Sequence, residues 1–423
     1  MSDQTTGAGL LSTCKVKDID IRSLVNQLDY FESIYTTSAS CNIVVNDASG
    51  FSQDANLKNG EDVEIVFGGR TGSQIKMKFE VSIVSDRVRV KDKQDMYTLT
   101  AVSSEMASDN TKAIDKPYKD MKLSDMVKQV HEIYTKDSKT IKKDLITNEE
   151  SEGKQNYVGT GRNPTTVFRW AAKEAKSSKT PASNYVYYQD RDGYHFKTIS
   201  SMLSGSDAMT FSYALQNTGT GGDASKRIIS FEQKQDFNGL DASDSGAESH
   251  HMYIYDPLTG KVDSVINGQR DGKGKGPFLG RNPIVGDESE ETKGSTPGSR
   301  GKRVEYVAAH GGVGKGGGTS SKFIEGRSPK DIENKRTIGE HGAQATIANQ
   351  LENLVMNILV PGNTSIKPGI KVKLQIPSNQ ENNELDNRSG SFLVTSVRHI
   401  IYKDDKDFKY NCVLECKSDS HGK

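Results

Sequence analysis

Several short stretches of this 423-residue sequence carry residue types that bind phosphate, metal or a reacting carbonyl. "AAHGGVGKGGGTS" (Ala308 to Ser320) offers the glycines and lysine that would cradle a polyphosphate. Ala309 stands where the first required glycine belongs, and Gly316 replaces the hydroxyl residue that would hold a metal, so it reads as a glycine-rich loop. "HEIYT" (His131 to Thr135) begins like a zinc-protease helix but has Thr135 in place of the second histidine. "DRDG" (Asp190 to Gly193) has too few carboxylates for a calcium loop and the glycine of a hairpin turn.

Other candidates fail for similar reasons. His250 and His251 are neighbours just before a predicted strand, where successive side chains face opposite ways and do not easily share one ion. "DGKGKGPFLG" (Asp271 to Gly280) lacks the third glycine of a dinucleotide fingerprint, and no G-x-S-x-G nucleophile turn occurs. Cys412 and Cys416 lie on one face of the final predicted strand, at a spacing that suits neither a zinc knuckle nor a redox pair, so they read as small buried hydrophobes. No residue is assigned a catalytic, cofactor-binding or metal-binding role, and no cofactor is implied.

The elements behind these residues are mostly strands. "CNIVVND" (Cys41 to Asp47), "EDVEIVF" (Glu61 to Phe67), "KFEVSIV" (Lys78 to Val84) and "MYTLTAV" (Met96 to Val102) alternate apolar and polar residues, as half-buried antiparallel strands do. The period then changes. Leu123, Met126, Val127, Val130, Ile133 and Tyr134 recur at threes and fours, the stripe of an amphipathic helix. A second helix starts at Asn163 as N-cap with Pro164 at the first helical position, and buries Val167, Trp170 and Ala171. "YVYYQ" and "YHFKT", joined by "DRDG", make a hairpin.

The expected organisation is a first β-barrel over 1–112, a small α/β domain over 113–207 and the first part of a second barrel over 208–262. A Gly-rich, charge-rich and partly flexible insertion over 263–345 follows, then the rest of the second barrel over 346–423, entered through a short helical run at "ATIANQLENLVM". The fold class is β-rich α+β. Lysines and arginines balance aspartates and glutamates at 56 each, so no net field draws the chain to nucleic acid or an anionic membrane. No apolar run reaches the ~18 residues of a spanning helix. The first residues do not read as a secretory signal, and a cytoplasmic site of synthesis is expected.

The two ends of the chain repeat one another. Gly60, Val63, Ile65 and Phe67 fall on Gly369, Val372, Leu374 and Ile376; Phe79, Val81 and Val84 fall on Phe392, Val394 and Val397. Tyr97, Leu99 and Ala101 fall on Tyr410, Cys412 and Leu414, and the hairpin tips "VKDKQD" and "KDDKD" correspond. "IVVNDASG" (Ile43 to Gly50) has a weaker counterpart in "YIYDPLTG" (Tyr253 to Gly260). One chain is thus expected to hold two similar antiparallel barrels. Three such chains would present six, matching a sixfold ring on one side and a threefold object on the other.

"NILVPGNTSIKPGIKVKLQIP" (Asn357 to Pro377), "SGSFLVTSVRHII" and the closing "YNCVLECKSDS" resemble the end of the baseplate central hub proteins of contractile-tailed bacteriophages. The middle segment around "NPTTVFRWAAKEA" and "YVYYQDRDGYHFKTI" is similar to the helix-and-hairpin unit of that family. The resemblance implies a homotrimeric, pseudo-hexameric torus in the virion, joining the tail tube to the central spike, with a lumen for DNA. The 263–345 segment lies outside it. Rival readings are the hub of a cellular contractile injection system, a cell-wall hydrolase, and tandem barrels that bind single-stranded nucleic acid. The last needs a basic groove with stacking aromatics, against which stand zero net charge and 7% aromatic residues.

Overall fold

The computed structural model describes residues 7–70, 72–179, 184–213, 224–236, 249–255, 262–267, 279, 282–283, 302–308, 350–352, 354–378, 385–405 and 407–421. They form a β-rich molecule with few helices, dominated by one 14-stranded mixed sheet. Six strands of that sheet lie side by side in the order Val25–Ser33, Ser40–Asp47, Gln94–Val102, Gln74–Lys91, Asp62–Gly69, Ala8–Val16, all antiparallel. A second six run Ser230–Gln235, Leu354–Pro361, Asp407–Ser418, Gly390–Asp404, Lys371–Gln375, Asp207–Tyr213. The last of these pairs in parallel, which departs from the antiparallel pairing of its counterpart.

The second set closes through Ser212 opposite Arg227 and Tyr213 opposite Ile228. The first set closes differently. Its two outer strands are joined by the terminal hairpin: Ser396 to Tyr402 pair with Ser33 to Gln27, and Phe408 and Lys409 pair with Gly9 and Ala8. The hairpin Gly390–Asp404 and Asp407–Ser418 is therefore a wall of both rings. One contiguous apolar core results, in which Leu28, Ile43 and Phe79 share a cluster with Val372, Phe392 and Leu414. Each such side chain, fully buried, contributes about 1.5–3 kcal/mol.

The repeat read from sequence recurs in the pairing. Val63 lies opposite Phe79, and Val372 lies opposite Phe392. The Gln74–Lys91 strand has an irregularity between Val81 and Ile83, and the Gly390–Asp404 strand has one between Val394 and Ser396. The final strand departs from the sequence alignment by two residues: Val84 faces Leu99, whereas Val397 faces Leu414 rather than Cys412. The first hairpin has two further bulges, at Ser85/Val88 and Arg89/Lys91, which take up the difference. A two-residue slip keeps every side chain on its face, so the apolar pattern does not register it.

The counterpart of Ser40–Asp47 is Leu354–Pro361, since Ile43 faces Leu99 as Ile358 faces Leu414. It is not Tyr253 to Gly260. The Ser249–Tyr255 strand instead pairs with Val262–Asn267 and Lys302–Ala308 in a separate three-stranded sheet that straddles residue 263. The helical run at 345–356 also ends differently, for Leu354, Val355 and Met356 are strand residues held by Ser418, Lys417 and Cys416. Cross-strand pairing there overrides a local helical period.

A separate apolar cluster is built around the helices Leu123–Tyr134 and Pro164–Glu174 and the hairpin Tyr185–Asp190/Gly193–Thr198. The first helix buries Leu123, Met126, Val127, Val130 and Tyr134 and leaves Ile133 half-buried. In the second, Phe168 joins Val167 and Ala171 inside while Trp170 is only partly covered, its ring tilted against that of Tyr157 at 4.3 Å. Asn163 and Pro164 start it as expected, but the capping carboxylate is Asp109, which accepts from the Thr165 N–H at 3.1 Å and the Thr165 hydroxyl at 2.6 Å. Among the described residues no helix is long and apolar enough to cross a membrane.

Candidate functional site: a buried junction under the terminal hairpin

The hairpin turn Asp190–Gly193 points into the seam between the two rings. Asp190 accepts from the N–H groups of Asp192 at 2.8 Å and Gly193 at 3.1 Å, which fixes the turn and leaves Arg191 at its tip. The Arg191 N–H donates to Glu32 Oε1 at 2.6 Å, its guanidinium lies 3.6 Å from Glu32 Oε2, and it also donates to the Thr364 carbonyl. Glu32 is wholly buried and also accepts from the Tyr30 hydroxyl at 2.8 Å. Its Oε2 is 3.7 Å from His399 Nε2.

His399 continues the chain of contacts into the terminal hairpin. Its Nδ1 is 2.8 Å from the Tyr410 hydroxyl and 3.2 Å from Cys412 Sγ. Its ring stacks on Tyr30 at 5.7 Å, and Phe67 closes the aromatic wall. Burial would push the His399 imidazole down, but the Cys412 thiol and the Glu32 carboxylate beside it raise it above its ordinary value. Burial likewise opposes ionisation of Cys412, and the adjoining imidazole outweighs it and lowers the thiol.

A thiol, an imidazole and a carboxylate in sequence are the groups of a nucleophilic triad. Here both the thiol and the imidazole have zero exposure, so a substrate carbonyl cannot reach Sγ. The charges serve as a clamp. Each comes from a different element: Glu32 from Val25–Ser33, Arg191 from the turn between Tyr185–Asp190 and Gly193–Thr198, His399 from the terminal hairpin. A second cluster lies behind it, with His195 Nε2 3.0 Å from Asp190 Oδ2 and Lys367 3.0 Å from Asp192. Burial opposes the ionised form of Asp190, and His195 and Lys367 overcome it and lower its carboxyl. Arg398 adds an ion pair to Asp29 at 2.8 Å across the same seam.

The sequence candidates fall elsewhere. His131 is a buried helix residue whose ring nitrogens meet the Tyr187 hydroxyl and the Lys143 carbonyl, each at 2.7 Å, and burial lowers its imidazole. His250 and His251 hold successive positions in Ser249–Tyr255. Residues 309–320, 271–278 and 280 lie outside the described residues. Cys412 and Cys416 are buried and free on the face expected of them. Glu32 stands in no motif, and Arg191 is visible in the sequence only as part of the "DRDG" turn; their contact spans 159 positions.

No protein-family model and no curated protein matches the chain. Among solved structures, the tail protein from Neisseria meningitidis MC58 aligns over 97% of this chain and 96% of its own, with a TM-score of 0.55 at 12% identity. The chain has the fold of a tail protein. The 43 kDa tail protein of prophage MuSo2 from Shewanella oneidensis shares that fold, with a TM-score of 0.52 at 11% identity over 96% of this chain and 97% of its own. Escherichia coli c3393, described as a component of the type VI secretion system, aligns more weakly, with a TM-score of 0.47 at 8% identity over 96% of this chain and 76% of its own. The resemblance carried by the C-terminal motif thus extends to the fold.

Proposed function

We propose that this chain is a structural tail hub. Three copies form a pseudo-hexameric ring that adapts a sixfold tail tube to a threefold central spike in a phage baseplate, with a lumen for DNA. The observation that carries the reading is the pair of matched strand orders in one chain, each with its glycine turn and strand irregularity at the same place. Two similar barrels, one within 1–112 and one from 207–235 with 354–418, give each chain two quasi-equivalent positions, so a threefold assembly offers six. The α/β unit of 113–207 is docked beneath by the Glu32–Arg191 junction.

The mechanism is geometric matching, with interface burial in place of bond chemistry. The protein belongs to the virion baseplate and is assembled in the host cytoplasm; its partners are two further copies of itself, the spike and the tube or adjoining baseplate proteins. Mass measurement of the purified protein, alone and with its spike, tests this. A trimer in either case supports the reading, and a monomer in both overturns it.

A further inference from the structure

The terminal hairpin is covered by the first ring, while its counterpart in the first ring is not covered. Val397 and Ile401 are 1% and 0% exposed against Val25–Ser33. The residue at the place of Val397 in the first hairpin, Val84, is 40% exposed, and Val88, past the bulge at Ser85/Val88, is 57% exposed. Among the described residues the Gln74–Lys91 strand pairs beyond residue 81 only with Gln94–Val102, and four exposed large apolar residues, Ile83, Val84, Val88 and Val90, fall on this arm. A lone two-stranded ribbon with apolar residues in water is marginal.

The receiving strand has a counterpart too. Leu28 faces Ile43 as Phe231 faces Ile358, so Ser230–Gln235 holds in the second ring the place of Val25–Ser33 in the first. Val25–Ser33 is paired on both sides, by Ser40–Asp47 and by the terminal hairpin. Among the described residues Ser230–Gln235 is paired on one side only, by Leu354–Pro361. An open strand edge is a site for another strand. In this register Glu232 stands where Asp29 stands, and Asp29 receives Arg398 from the hairpin. The arm offers Arg87, which lies over the Tyr97 ring at 4.9 Å, and Arg89, which pairs with Asp95 at 3.0 Å in the isolated chain.

We propose that the arm formed by residues 82–96 docks on the Ser230–Gln235 edge of a second copy of this chain, repeating between copies the seam that the terminal hairpin makes within one. Donor and acceptor then lie on different parts of each chain, so the contact is head-to-tail and generates a closed ring when the rotation closes. This rests on the trimer reading above and names the surfaces that hold it.

The test is native mass measurement of Val84→Asp/Val88→Asp and of Arg87→Glu/Arg89→Glu, with far-UV circular dichroism to verify folding and with the spike present if assembly needs it. Both arm variants are expected to assemble at least tenfold more weakly than the unaltered chain, and adding Glu232→Arg to the second is expected to restore assembly. Folded arm variants that assemble as well as the unaltered chain overturn the inference and leave the trimer reading standing. An unaltered chain that stays monomeric with its spike overturns both.

Discussion

Gly60 and Gly369 hold the same place in the two rings. Gly60, at φ +86°, donates its N–H to the Val81 carbonyl at 2.8 Å; Gly369, at φ +79°, donates to that of Val394 at 2.8 Å. The return bonds match as well, Val81 to Glu61 at 2.8 Å and Val394 to Ile370 at 2.9 Å.

The two glycines differ in what surrounds them, so their alanine variants are expected to differ. A Cβ on Gly60 meets nothing within 4 Å, and Gly60→Ala should cost only the left-handed backbone strain of roughly 1–2 kcal/mol. A Cβ on Gly369 would sit 2.8 Å from the Tyr188 hydroxyl, so Gly369→Ala should cost more. Denaturant midpoints of the two variants check the order.

Arg191→Met should loosen the α/β hairpin from the rings. It leaves the fully buried Glu32 without the Arg191 guanidinium and with only the His399 ring 3.7 Å away, a loss on the order of 3–5 kcal/mol for a buried pair broken on one side. Hydrogen exchange of Tyr185–Asp190 and Gly193–Thr198 reads the loosening. Glu32→Gln combined with Arg191→Met removes the orphaned charge and should recover part of the loss.

Two of the buried histidines, His399 and His131, predict opposite pH dependences. His399 is raised in the fold, so its contribution is fully present below the ordinary histidine value of about 6.5 and is lost as pH rises through the raised one. His131 is lowered by burial, so its contribution is present above about 6.5 and is lost as pH falls toward the lowered value. Thermal midpoints across this range, compared between the unaltered chain, His399→Gln and His131→Gln, separate the two.

The sequence made the repeat legible because strand alternation and a turn glycine are local signals, while the matched Phe79-to-Tyr97 spacing set the final strand two residues out of register. Sharing of the terminal hairpin was not legible: Ser396 and Ser33 pair across 363 positions, and nothing in either marks the other. The same holds for the cap of the second helix. Asn163 was a sound reading of local chemistry, yet Asp109, 56 residues earlier than Thr165, supplies the acceptor. The junction was hidden most fully, because Glu32, Arg191 and His399 acquire their meaning only when three separate units meet. Alternation alone does not separate the Tyr253 strand from the true counterpart around Ile358.

The central claim is a threefold assembly with six quasi-equivalent positions. Electron micrographs of the purified protein, averaged without imposed symmetry and with its spike added if needed, test it most directly. The account predicts a ring of near-sixfold outline whose finer features repeat three times. Particles of single chains, or a ring whose features do not repeat three times, would contradict it.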